Sequence, residues 1–125
     1  MARRTALPNR LAVRSNDPSV LILTSLVSGS KHGWALTKDI EEFSGVALGP
    51  GTLYGAITRL EERGLIEPLP VEDRRRPYRI SSAGRAALTE ALREMRALVD
   101  AGEQRLGLRT VVRSVVGSGA LGATR

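Results

Sequence analysis

The stretch GPGTLYGAITRLEERGLIE, residues 49–67, combines apolar side chains at helical spacing with a small, neutral far side. Leu53, Ala56, Ile57 and Leu60 fall on one stripe, whereas Gly51, Gly55, Thr58 and Glu62 fall opposite. A helix that had only to be soluble would carry Glu and Lys there. Glycine costs helix stability, so its use at this helix head implies that something large approaches the backbone closely. The chemistry on offer is anion binding. Thr52 and Tyr54 supply hydroxyl donors for phosphate, and the unpaired amides and dipole of the helix start favour negative charge. Thr58 and Arg59, further along the same side, are candidates to reach base edges. Arg74, Arg75 and Arg76 form a second cationic group suited to clamping phosphate, with one reaching a narrow minor groove, and Lys38 is a further candidate DNA contact.

Other chemistries lack their residues. The sequence has no cysteine, which removes disulfides, thiolate metal sites and a cysteine nucleophile and fits a reducing, cytoplasmic setting. His32 is the single histidine; without a cysteine or an arranged carboxylate it reads as a turn or capping residue rather than a metal ligand or base. Ser81 and Ser82 read as a helix cap rather than nucleophiles. VVGSGALG, residues 115–122, has the glycine spacing of a dinucleotide fingerprint but neither a following helix nor a downstream acid. No catalytic constellation, metal site or cofactor is therefore assigned, and the chain reads as a non-enzyme.

The elements that must position these groups follow from caps and breaks. Asp17 and Pro18 start a first helix, whose apolar run Val20, Leu21, Ile22, Leu23, Leu26 and Val27 stops at Gly29. Leu36, Ile40 and Phe43 mark a second helix ending at Ser44 and Gly45. Gly49 and Pro50 open the third, which stops at Gly64. Two short strands, residues 65–69 and 78–80, flank the loop VEDRRRP as a hairpin, with Pro68 suited to an edge. Trp34, Phe43 and Tyr78 are assigned to core or wing packing. Ser81 then caps a long helix carrying Leu88, Ala91, Leu92, Met95, Leu98 and Val99 at three- and four-residue steps. That stripe is expected to pair with a second copy, making a homodimer.

Helix, helix, helix, hairpin, helix is the order of a winged helix-turn-helix. The fold class expected is mainly α, with three helices plus a two-stranded wing and a long C-terminal dimerisation helix. Residues 1–16 form a basic arm or short leading helix, residues 17–80 the DNA-binding domain, residues 81–106 the dimerisation helix, and residues 107–125 a disordered tail. At 125 residues there is room for one such domain. The formal net charge is +6, and 17 of the 19 basic residues are arginine, whose fork grips phosphate or a guanine edge. The partner expected is double-stranded DNA. A winged-helix module that binds protein or RNA is the alternative, and the arginine tip weighs against it. No apolar run is long enough to span a membrane.

The segments KHGWALTKDIEEFSG, GPGTLYGAITRLEERGLIE and RRRPYRISSAGRAAL together resemble the PadR family of transcriptional regulators over residues 20–98. The resemblance implies a dimeric winged-helix repressor of the short subtype, with Gly51, Thr52, Tyr54 and the wing arginines near DNA and the last helix forming the dimer. For many relatives it also implies release by a small molecule held near the dimer interface. Trp34 stands where relatives commonly have tyrosine, and Gly55 where many have proline. The stripe from Leu88 to Val99 has no aromatic residue to stack on a planar inducer, so no effector site is assigned.

Overall fold

The computed structural model describes residues 10–11 and 16–108; the sequence-based assignments for residues 1–9, 12–15 and 109–125, including the glycine pattern at 115–122, lie outside them. The described residues form α1 (Pro18–Val27), α2 (Gly33–Ser44), α3 (Pro50–Glu62), β1 (Ile66–Pro68), β2 (Tyr78–Ile80) and α4 (Ser82–Leu106).

The helix ends fall where capping chemistry puts them. Asp17 accepts hydrogen bonds from the amides of Ser19 (2.8 Å) and Val20 (3.4 Å), and Pro18 occupies the first turn, where its missing N–H costs nothing. Gly45 and Gly64, at φ 77° and 73°, end α2 and follow the α3 cap in a left-handed conformation that a side chain disfavours. Ser81 Oγ accepts from the Gly84 amide at 3.0 Å and so starts α4.

The central element is α1, which packs against α2, α3 and β2. Its buried Ile22, Leu23 and Leu26 meet Leu36 and Ile40 of α2, Leu53, Ile57 and Leu60 of α3, and Leu65 in one core. Truncating any of these to alanine removes about 2 to 5 kcal/mol. Ser25, buried on α1, donates to Asp39 Oδ2 at 2.6 Å, so its hydroxyl is satisfied. Leu11 is also buried, and the Arg10 carbonyl accepts from Arg63 Nη2 at 2.9 Å.

β1 and β2 pair antiparallel with Ile66 opposite Ile80 and Pro68 opposite Tyr78. On its other side Tyr78 exchanges both backbone hydrogen bonds with Lys31, at 3.0 and 3.2 Å, which ties the α1–α2 connection to the wing. β1 therefore has the free edge, where proline is tolerated. The Lys31 ammonium turns inward to the Ser25 carbonyl and Ser28 Oγ, fixing that connection.

The chain divides after Leu92 into two compact units. The first contains the winged helix-turn-helix and the start of α4, including buried Leu88 and Ala91; Leu92 is exposed. In the second, Leu98, Val99 and Leu106 of α4 are exposed. Two aromatic assignments are corrected: Trp34 is 62 % exposed and Phe43 is 46 % exposed, so neither belongs to the core. Trp34 sits on the outer side of α2 and Phe43 lies on the Leu36–Ile40 side near the end of the helix, and the aliphatic residues of α1, α2 and α3 fill the interior without them.

Candidate nucleic-acid interface

Gly51 and Thr52 lie exposed at the head of α3, with open space where a Cβ on Gly51 would project. Gly49, the N-cap, gives this helix no side-chain cap. Asp17, His32 and Ser81 cap the other described helices, so the head of α3 keeps its outward amides available for an external acceptor. Gly55 leaves room for the Arg59 guanidinium, whose Nη1 lies 3.5 Å from the position a Cβ would take. Arg59 is thus folded toward the front of the helix and is exposed there. Thr58 is exposed beside it, but its hydroxyl donates to the Tyr54 carbonyl at 2.9 Å. Its methyl group and oxygen lone pair remain for a partner.

Tyr54 reaches sideways. Its ring crosses Gly33 at the start of α2, where an added Cβ would overlap the phenol oxygen and lie 2.8 Å from Cζ. Bare Gly33 therefore creates the seat for Tyr54, which remains half exposed.

The wing supplies the other wall. Glu72 and Arg75 exchange two backbone hydrogen bonds of 2.8 Å, closing a two-residue turn at Asp73 and Arg74. Both turn residues have positive φ, 50° and 66°, as a type I′ turn demands. Arginine is a costly choice at such a position, and its presence at the hairpin tip points to a task for the side chain. The three arginines differ in their partners. Arg74 stands at the tip, Arg75 lies 3.3 Å from His32 Nε2, and Arg76 Nη1 donates to the Leu69 carbonyl at 2.8 Å, bracing the hairpin.

Tyr54 and the wing face one groove of about 230 Å³, lined by His32, Gly33, Trp34, Tyr54, Arg74, Arg75, Arg76 and Tyr78. Among the described residues, no carboxylate lines it. Tyr78 is held above the ordinary phenol pKa, first by burial and then by Glu61, with Tyr54 adding and Arg76 opposing. It therefore stays a neutral hydrogen-bond donor at physiological pH. Lys38 is exposed on α2, its Nζ 5.2 Å from the centre of the Trp34 ring, and Trp34 stacks with His32 at 6.5 Å.

Tyr54 of α3 and Arg74, Arg75 and Arg76 of the wing are thus brought together, with Gly51, Thr52, Gly55, Thr58 and Arg59 on the exposed side of the same helix. Sequence reasoning misses four groove residues as site residues, His32, Gly33, Trp34 and Tyr78. It takes His32 for a cap, which it is, with Nδ1 3.4 Å from the Ala35 amide; the pairing of its other nitrogen with the wing leaves no trace in sequence order. It gives Trp34 to packing because exposed and buried tryptophan look alike in a helical pattern.

Residues 22–90 match the model of the Transcriptional regulator PadR-like family. The chain is 43% identical over 83 residues to an uncharacterised 37.1 kDa protein of a Streptomyces fradiae transposon, covering 66% of this chain and 24% of that protein. It is 42% identical over 89 residues to a transcriptional regulator of Mycobacterium tuberculosis, covering 69% and 79% of the two chains. Among solved structures, a transcriptional regulator from Clostridium thermocellum superposes with a TM-score of 0.64 at 25% identity, covering 74% of this chain and 97% of that one. A PadR family transcription regulator from Clostridium difficile gives 0.64 at 26% identity, covering 71% and 97%.

Proposed function

Since the chain belongs to the PadR-like family of transcriptional regulators, we propose that it acts as a homodimeric repressor on a near-palindromic operator, with α3 in the major groove and the wing on neighbouring backbone. One observation carries this reading: Tyr54 of α3 and the hairpin arginines Arg74, Arg75 and Arg76 line a single groove that no described carboxylate lines. Phosphate contacts come from the α3 amides, Thr52, Tyr54, Lys38 and the wing; Arg59, with Thr58 beside it, reads base edges. Two copies joined through Leu92, Met95, Leu98 and Val99 would set their recognition helices about 34 Å apart, one turn of duplex. A small-molecule effector remains part of the proposal through the family, without an assigned site.

Selection of bound duplexes from a random-sequence library tests it. Recovery of a two-fold symmetric sequence is expected; enrichment of nothing above background would remove sequence-specific DNA recognition and favour a protein- or RNA-binding module. On the selected duplex, Arg59→Ala should relax preference at one base position by about 1 to 3 kcal/mol. Arg74→Ala should instead weaken all sequences alike and lower the salt dependence. Equal effects of the two changes on every sequence would refute that division of labour.

A further inference from the structure

We propose that Trp34 is a DNA contact: its indole packs against a deoxyribose of the duplex while the phosphates on either side of that sugar are held by the wing arginines and by Lys38. The inference rests on the DNA-binding reading above and adds to it a neutral residue that the charge pattern does not reveal.

Trp34 occupies the first turn of α2, two residues past the His32 cap, and is 62 % exposed. A lone exposed apolar side chain is ordinary on a protein surface. This one is held in place. Its ring stacks with His32 at 6.5 Å between centroids, and the Lys38 ammonium lies 5.2 Å from the ring centre. It also lines the groove that Arg74, Arg75, Arg76 and the Tyr54 phenol share. Fixed in this way, the indole loses little side-chain freedom when a partner covers it.

These contacts run in order along the surface. Arg75 Nη1 lies 3.3 Å from His32 Nε2, His32 stacks with Trp34, and Lys38 lies over Trp34. Cations stand at both ends of the path, with a flat apolar ring between them. One strand of duplex DNA repeats in the same way, as phosphate, sugar, phosphate. Guanidinium and ammonium groups match the phosphates, and the indole matches the C–H face of the sugar. The indole N–H adds a donor for a phosphate oxygen. Bases are paired and stacked inside the duplex, so the ring meets backbone; a flat base would be its partner only in a single strand.

The test uses the full chain and a fluorescein-labelled mixed-sequence duplex titrated over a range of salt concentrations, because sugar and phosphate contacts are independent of sequence. Trp34→Ala should weaken binding about tenfold or more throughout, with the salt slope unchanged, since no charge is removed. Lys38→Ala should instead lower that slope by about one for each protomer bound. Trp34→Phe, which keeps a ring and loses the N–H, should bind about two- to fivefold more weakly than wild type. Both Trp34 variants should keep the wild-type urea midpoint, because the ring lies outside the core. As Trp34 is the only tryptophan, its fluorescence reports on the contact directly, and unlabelled duplex should protect it from quenching by acrylamide.

Unaltered quenching with duplex bound would overturn the proposal while leaving DNA binding intact. So would a salt slope lowered in Trp34→Ala as far as in Lys38→Ala, since the ring would then act only by holding the ammonium. Tighter binding and stronger protection on a single strand of the same sequence would replace the sugar contact with base stacking and overturn it as well. Absence of duplex binding by wild type would remove the DNA-binding reading and this inference together.

Discussion

Arg74 is the residue at which local stability and the proposed contact pull in opposite directions. At φ 66° in a two-residue turn, a residue with a Cβ carries a cost of about 1 kcal/mol that glycine would not. Arg74→Gly should relieve that strain and lose about 0.5 kcal/mol of it to the freer unfolded chain, a net stabilisation near 0.5 kcal/mol in urea unfolding. The same change should weaken binding to any duplex and reduce the salt slope by about one, the share of a single phosphate contact. A variant that is less stable than wild type would show that Arg74 serves the fold instead. Arg76 is the contrast, since its guanidinium already holds the Leu69 carbonyl and its loss should be felt first in the hairpin. Three adjacent arginines are equivalent in the sequence. Their different partners arise from the I′ turn, which rotates successive side chains to different sides.

At the scale of the elements, glycines in α3 and α4 predict opposite outcomes for one substitution. Gly51 faces open space and Gly55 meets only the end of Arg59, so alanine at either site fits and should add about 0.5 to 1 kcal/mol of helix stability. Duplex affinity should nevertheless fall, because the added methyl groups stand between backbone and phosphate. Gly84 differs: a Cβ there would overlap the Leu65 carbonyl and come within 2.8 Å of Ile80 Cγ1. Backbone cannot swing aside, and Gly84→Ala should cost about 1 to 3 kcal/mol in the same unfolding measurement. Stabilised Gly51→Ala and Gly55→Ala proteins that bind DNA as wild type would remove the functional account of the glycines. The elements themselves are legible in the sequence, since Asp17–Pro18, Gly49–Pro50, Gly45, Gly64 and Ser81 mark their ends by local chemistry that precedes tertiary contacts. Less legible is what meets across them. The seat of Tyr54 on Gly33 and the approach of His32 to Arg75 join residues 21 and 43 positions apart, and nothing in either local pattern announces the other.

For the whole molecule, the stripe on α4 carries the proposed assembly, and one helical period serves two purposes along it. Leu88 and Ala91 are buried within the first compact unit, whereas Leu98 is 70 % exposed in the second. Hydrophobic spacing alone does not distinguish a face that covers its own core from one that awaits a partner, because both repeat at three and four residues. The exposed part is where the dimer can be tested without disturbing the fold. Leu98→Glu places a charge in the proposed interface, where an unpaired carboxylate opposes burial, and should halve the mass measured by light scattering at micromolar concentration. The winged unit should keep its unfolding midpoint, since none of its core residues is changed. On the selected duplex the monomer would engage one half-site at a time, losing the effective concentration that the partner supplies, and affinity should fall about 100-fold or more. Binding to mixed-sequence DNA at low salt should persist with a shallower salt slope, because each event then neutralises about half as many phosphates. A Leu98→Glu protein that remains dimeric would place the interface elsewhere, and one that is monomeric yet binds the two-fold site undiminished would separate assembly from recognition.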